Sequence, residues 1–107
     1  MKPPSDAFDL THSLARRLTV LGSTGSIGVS TLSVVEHARA TYGADAMPLE
    51  ALTAQSNVET LAEQARAFRP RRAVIGKPEL HDKLKSLLEG TGIETAAGKE
   101  AVAEAAD

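Results

Sequence analysis

Short apolar runs alternate along the chain with longer segments of helical periodicity. The apolar runs predict strands over residues 18–21, 46–54, 72–76 and 93–97. The segments between and after them predict helices over residues 27–42, 57–69, 78–90 and 99–107. Strands that alternate with helices of this length predict an α/β fold: a Rossmann-like parallel sheet with helices on both faces, built from about four βα units.

The two ends of the chain differ from this regular middle. Residues 1–16 contain two prolines, mixed charge and no sustained period, so we expect a flexible leader there. The folded domain is expected to span residues 17–107, and its last helix stops so abruptly that we expect an incomplete, truncated domain. Inside it, Ser56 and Glu59 match a capping box, which predicts a helix that starts at about Asn57.

Composition and charge exclude several classes of function. The 107 residues carry 12 Lys and Arg against 14 Asp and Glu, for a net charge of −2, and the basic residues are scattered. A nucleic-acid partner is therefore not expected. There is no Cys, and the three His lie far apart, so we expect no metal site within this chain. No run is apolar enough for a membrane helix or a signal peptide, which favours a cytoplasmic protein without a membrane partner.

The glycine-rich segment over residues 22–28 carries the main candidate chemistry. It follows the first predicted strand, opens the first helix and has the spacing G-x-x-G-x-x-G. Gly25 would let the backbone approach a pyrophosphate, and Gly28 would let the helix pack closely. The N–H groups of residues 24–27, with the helix dipole, would hold the anion. The loop hydroxyls of Ser23, Thr24 and Ser26 can add direct phosphate contacts.

The residues at the end of the second predicted strand indicate whether NAD or NADP would bind. An NAD site places an acid there against the ribose, but this chain has none at that point. Ser56 and Asn57 could instead receive a 2′-phosphate at the mouth of the second helix, or they could simply cap it. NADP is preferred over NAD, although Glu59 would lie near the phosphate. Lys77, at the end of the third strand, is expected to be solvated rather than to contact the adenine edge.

The sequence resembles one enzyme family from its first strand onward. The run LTVLGSTGSIG over residues 18–28, followed by Ser30-Thr31-Leu32, is similar to the amino terminus of 1-deoxy-D-xylulose 5-phosphate reductoisomerases. The resemblance continues through residues 51–54, Asn57-Val58 and the segment 70–75, and it covers roughly residues 17–100.

The resemblance implies an NADPH-dependent oxidoreductase of the non-mevalonate isoprenoid pathway. Such enzymes rearrange 1-deoxy-D-xylulose 5-phosphate with the help of a divalent metal, Mg or Mn, and reduce the product to 2-C-methyl-D-erythritol 4-phosphate. By that likeness, Thr24, Gly25, Ser26 and Ile27 would contact the cofactor phosphates, and Asn57 the adenosine end. The family usually has Gly and then Lys or Arg before that Asn, where this chain has Gln55 and Ser56.

The resemblance also implies what this chain does not contain. The catalytic residues, the metal-binding carboxylates and the sugar-phosphate site of the family lie in later segments, so we expect the chain alone to lack catalytic and metal residues and to be inactive. The full-length family member is expected to be a homodimer. Two alternatives stay open: a fragment of another NADP-dependent dehydrogenase of the semialdehyde type, and a nucleotide-binding module without chemistry.

Overall fold

The predicted alternation of strands and helices is present. A computed structural model describes residues 17–106, so the predicted leader over residues 1–16 lies outside the described residues. The elements are β1 (Leu18–Val20), α1 (Ser26–Tyr42), β2 (Leu49–Ala54), α2 (Val58–Phe68), β3 (Arg72–Ile75), a 3-10 turn (Pro78–Leu80), α3 (His81–Leu87), β4 (Glu94–Ala97) and α4 (Lys99–Ala106).

The strands form one parallel sheet in the order β1-β2-β3-β4. Each strand therefore lies beside the next strand in the sequence. Because crossovers between parallel strands are right-handed, a succession in one direction places α1, α2 and α3 on the same face. The helix α4 contacts β2, β3 and β4. The Rossmann-like α/β fold class is confirmed.

The core between the sheet and its first three helices is built from aliphatic side chains. Leu52 pairs with Ala73 and Ala54 with Ile75 in the register of β2 and β3, and all four side chains are buried in one apolar cluster. Side chains from α1, α2 and α3 complete the cluster: Leu32, Val35, Val58, Leu61, Ala62, Ala65 and Leu84.

The opposite face of the sheet carries smaller side chains. By the alternation of strand residues, Ala51, Thr53 and Val74 point away from the cluster, and each is at most 3% exposed. Together with the contacts of α4, this burial shows that the sheet is covered on both faces. The strand β2 is thus buried on both sides, as expected of a strand inside a parallel sheet.

Arg39 fixes the end of α1 to the rest of the fold. Its guanidinium donates hydrogen bonds to three backbone carbonyls: Ala46 O at 3.0 Å, Met47 O at 3.2 Å and Phe68 O at 2.7 Å. It also lies 5.9 Å from the centre of the Phe68 ring. Burial lowers the pKa of Arg39, and the nearby carboxylate of Asp45 partly opposes that shift.

The capping box at the start of α2 is not formed. The helix begins at Val58, one residue after the expected start, and its N-cap, Asn57, makes no capping hydrogen bond with its side chain. Val58 N donates instead to Ser56 O at 2.8 Å, which closes a tight backbone turn. The Glu59 carboxylate faces outward and pairs with Lys83 Nζ at 3.2 Å. The capping prediction was wrong because the helix begins one residue later than expected, which makes Asn57 the N-cap and leaves Ser56 outside the helix.

Candidate functional site

The glycine loop lies where β1 ends and α1 begins, at the edge of the sheet formed by the carboxyl ends of the strands. The backbone turns at Gly22, whose φ of +65° is a left-handed value that favours glycine. Gly25 then precedes the first helical residue, Ser26, as the N-cap of α1. This is the part of an open parallel sheet where ligands bind.

The end of β2 holds the first half of the loop in place. Gly22 N donates to Thr53 Oγ1 at 3.0 Å, and Ser23 N donates to Thr53 O at 2.8 Å. Gly25 N donates to Gly22 O at 3.0 Å and closes the turn. The loop is therefore a rigid extension of the β1-β2 pair, and the N–H of Gly25 is already used within it.

Ser23 does not face the solvent, so the suggestion that its hydroxyl can contact a phosphate directly is wrong. Ser23 is 0% exposed. Its hydroxyl donates to Gln64 Oε1 at 2.6 Å, and Gln64 Nε2 donates to Ser23 O at 2.9 Å. We call this pair of hydrogen bonds the Ser23–Gln64 clasp; it ties the loop to α2.

The second half of the loop is exposed and rich in unused donors. Within residues 17–106, the N–H groups of Thr24, Ser26 and Ile27 have no hydrogen-bond acceptor, and α1 has no side-chain cap. Gly25 and Ser26 are exposed, and Ile27 is 82% exposed. Three backbone donors at the positive end of a 17-residue helix form an arrangement that suits an anion.

Gly28 is required by a close approach between α1 and the loop. A Cβ at this position would overlap the carbonyl oxygen of Gly22 and would lie 2.5 Å from Ser23 Cα. The tight packing expected at Gly28 is thus present, although the helix packs against the loop rather than against the sheet. A Cβ at Gly25 would meet only Gly22 O, at 3.4 Å, so the space outside Gly25 is open.

The neighbouring end of β2 brings the other predicted residues to the same edge of the sheet. Ser56 and Asn57 are exposed at the start of α2. Since Asn57 makes no side-chain cap, its amide stays available to a ligand. The ion pair between Glu59 and Lys83 offsets the negative charge that the sequence places near this position.

One contact at this edge was not expected from the sequence, that between Gln55 and Gly76. Gly76 N donates to Ala54 O at 2.7 Å, and Lys77 N donates to Gln55 O at 3.0 Å. The backbone hydrogen bonds between β2 and β3 therefore continue beyond the last residue of β3 and of β2. A Cβ at Gly76 would overlap the side-chain oxygen of Gln55. Gln55 therefore folds over Gly76. The sequence gives one signal for this contact, a glycine directly after a buried strand.

A cavity of about 300 Å³ opens beside the loop. It lies between the ends of β1 and β2 and the helix α4, and it is lined by Leu21, Gly22, Thr53, Ala54, Gln55, Val102, Ala103 and Ala106. A larger hollow, about 830 Å³, lies near the opposite edge of the sheet, against Arg39 and Phe68. The donors of Arg39 there already bind carbonyls.

The described residues do not fit a metal centre. Over residues 17–106, no three side chains of His, Asp or Glu come close enough together to hold a metal ion. In the same part of the chain, no helix has the length and apolar character needed to cross a membrane.

Comparison with known proteins assigns the family. Residues 18–107 match the family model of 1-deoxy-D-xylulose 5-phosphate reductoisomerase. The chain belongs to the 1-deoxy-D-xylulose 5-phosphate reductoisomerase family. The resemblance of the loop sequence is thereby confirmed, and the semialdehyde-type alternative has no support from the family match.

Curated reductoisomerases match most of this chain. The chain is 50% identical over 92 residues to the reductoisomerase of Rhizobium etli (strain CIAT 652), which covers 86% of this chain and 22% of that protein. It is also 50% identical over 91 residues to the reductoisomerase of Caulobacter vibrioides, with 85% and 22% covered. The chain thus spans less than a quarter of the length of these relatives.

Solved reductoisomerases share the fold. The enzyme from Zymomonas mobilis in complex with NADPH matches with a TM-score of 0.77 and 46% identity, over 85% of this chain and 23% of that one. A DOX-P reductoisomerase in complex with NADPH, fosmidomycin and magnesium matches with a TM-score of 0.72 and 29% identity, over 85% and 21%.

Proposed function

We propose that this chain binds NADPH as the amino-terminal cofactor-binding part of a reductoisomerase. The observation that carries the proposal is the row of unused N–H donors at Thr24, Ser26 and Ile27. With Gly25 open to close approach, these residues would hold the cofactor pyrophosphate at the positive end of α1. The identity to a Zymomonas mobilis enzyme solved with NADPH supports this assignment.

The adenosine end would lie at the start of α2. Ser56 and Asn57 would receive the 2′-phosphate through their exposed side chains and the first N–H groups of the helix. Lys77 supports a preference for NADPH over NADH: its backbone is hydrogen-bonded to Gln55, and its side chain is exposed and forms no ion pair within residues 17–106. It would supply the cation that the family usually carries at position 56.

The chemical step is proposed not for residues 17–106 but for a longer protein of the kind that the full-length relatives represent. That protein would use NADPH and a divalent metal, Mg or Mn, to convert 1-deoxy-D-xylulose 5-phosphate into 2-C-methyl-D-erythritol 4-phosphate. The described residues do not fit the metal, so its ligands and those of the sugar phosphate would come from segments other than residues 17–106. We also propose that the longer protein is a cytoplasmic homodimer.

A titration of the 107-residue chain, followed by its amide resonances, tests the cofactor assignment. We expect NADPH to shift the amides of residues 24–27 and of Ser56 and Asn57, and to bind more tightly than NADH. NADH binding more tightly than NADPH would refute the preference, and unchanged loop amides would refute the site.

A pair of variants sharpens the test. Gly25→Ala should fold, since its Cβ finds ordinary space beside Gly22 O. The same methyl group would occupy the approach path of the pyrophosphate, so we expect NADPH affinity to fall about tenfold. Ser33→Ala, an exposed change in the middle of α1, is the matched control and should leave the affinity unchanged.

A further inference from the structure

The Ser23–Gln64 clasp affects the anion site, although Gln64 lies outside the loop, on α2. Ile27 is the second residue of α1, so its N–H belongs to the first turn, where N–H groups have no acceptor within the helix. It would find one only if the helix extended back to Thr24, so that Ser23 O could accept from it. Here Ser23 O instead accepts from Gln64 Nε2 at 2.9 Å. The carbonyl therefore points toward α2, which disfavours such an extension, and the N–H of Ile27 has no acceptor among residues 17–106.

The clasp also determines the position of the carbonyl oxygen of Ser23, which carries a negative partial charge. A carbonyl of Ser23 turned toward α1 would use up one N–H donor and would place an electronegative oxygen beside an incoming phosphate. That oxygen accepts from Gln64 Nε2, and the Ser23 hydroxyl donates to the same side chain at 2.6 Å. Turning the carbonyl toward α1 would break the first of these part-buried hydrogen bonds and disturb the second. Such bonds are costly to leave unmade.

We propose that Gln64 is a positioning residue for the cofactor: it holds Ser23 so that the N–H groups of the loop stay open to the pyrophosphate. This inference rests on the proposed NADPH site. Gln64 lies about two turns after Asn57 on the same helix. A single rigid element, α2, thus carries the adenosine end of the site and fixes the loop that receives the pyrophosphate.

The test compares two ligands on variants of the whole 107-residue chain. NADPH contains the pyrophosphate, whereas adenosine 2′-monophosphate carries only the part expected at Ser56 and Asn57. In Gln64→Met, a side chain of similar length makes neither hydrogen bond of the clasp. We expect the dissociation constant for NADPH to rise about tenfold, while that for adenosine 2′-monophosphate stays within twofold. A merely structural role would weaken both ligands together.

Two controls accompany this variant. Arg66→Met removes two hydrogen bonds from the same helix to Leu87 O, at 3.2 and 2.6 Å, and should change neither affinity. Ser23→Ala removes the hydroxyl bond but keeps the one between Gln64 Nε2 and Ser23 O, so it should weaken NADPH binding less than Gln64→Met. The amide of Ile27 should shift in Gln64→Met before any ligand is added.

The outcomes separate the two proposals. If the unchanged chain does not bind NADPH, the proposed function fails. If it binds and Gln64→Met binds NADPH within twofold, or loses both ligands equally, the positioning role is overturned. Should Gln64→Met fail to fold, Gln64→Glu decides, because it keeps the acceptor for the Ser23 hydroxyl and lacks the donor to Ser23 O. Unfolding of both variants would assign Gln64 to stability and overturn the inference.

Discussion

The close approach at Gly28 makes Gly28→Ala the sharpest test of the loop geometry. Helix propensity alone favours the change, since Ala in a helix interior is better than Gly by about 1 kcal/mol. The structure predicts the opposite sign: the new methyl group would overlap Gly22 O and lie 2.5 Å from Ser23 Cα, and both are backbone atoms that cannot rotate away. Van der Waals contacts of carbon need roughly 3.5 Å, so α1 would have to move by about 1 Å.

The net magnitude follows from two opposing effects. Overpacking a well-packed site costs about 1 to 3 kcal/mol and more where backbone must shift. After the gain in propensity, we expect Gly28→Ala to lower the free energy of unfolding by about 2 kcal/mol. With a urea m-value of about 1.5 kcal/mol/M, the midpoint of unfolding should fall by about 1.3 M.

Urea unfolding followed by far-ultraviolet circular dichroism measures this midpoint. Ser33→Ala, exposed in the same helix, serves as the control and should be neutral or slightly stabilising. NADPH affinity should fall in Gly28→Ala as well, because the displaced helix would carry the N–H groups of the loop with it. A Gly28→Ala chain as stable as the unchanged protein would refute the close approach.

Three further variants test other contacts. Gly76→Ala should lower the free energy of unfolding by about 1 kcal/mol, and most of that loss should be recovered in a double variant with Gln55→Gly, because the overlap is with that side chain. Arg39→Met should cost about 2 kcal/mol in urea unfolding, since three carbonyls lose their donor; a loss below about 0.5 kcal/mol would contradict it. Lys77→Met should raise the dissociation constant for NADPH about fivefold and leave that for NADH unchanged, because only NADPH carries the 2′-phosphate; equal effects on both would argue against a role for this lysine.

Local sequence patterns were sufficient for the elements of this fold. Each helix and strand depends on the spacing of apolar residues, which is visible in one dimension, and the order of βα units then limits the sheet to a parallel arrangement. The glycine loop was also recognisable, because a strand, three glycines and a helix follow one another directly. The bounds differed in three places. The strand expected from residue 46 begins at Leu49, α2 begins one residue late, and the helix expected over residues 78–90 is a 3-10 turn followed by α3, which ends at Leu87.

Contacts between distant parts of the chain were what the sequence did not reveal. Ser23 was expected to face a phosphate, but its partner Gln64 lies on another helix, and nothing in the local pattern around either residue links them. The same holds for Gln55 over Gly76. Such pairs depend on how two elements pack, and the sequence of one element does not determine that distance.

The order of the strands also bears on how the chain acquires its structure. Each strand pairs with the next one in the sequence, from Leu18 beside Leu49 to Arg72 beside Glu94. Because a crossover helix separates parallel strands, the paired residues still lie 21 to 32 positions apart, and the loop-closure entropy lost before they pair makes folding slow for a domain of this size. During synthesis, however, the partner of each new strand has already emerged, so each βα unit can dock on the one before it. The glycine loop would be set as soon as β2 and α2 have left the ribosome.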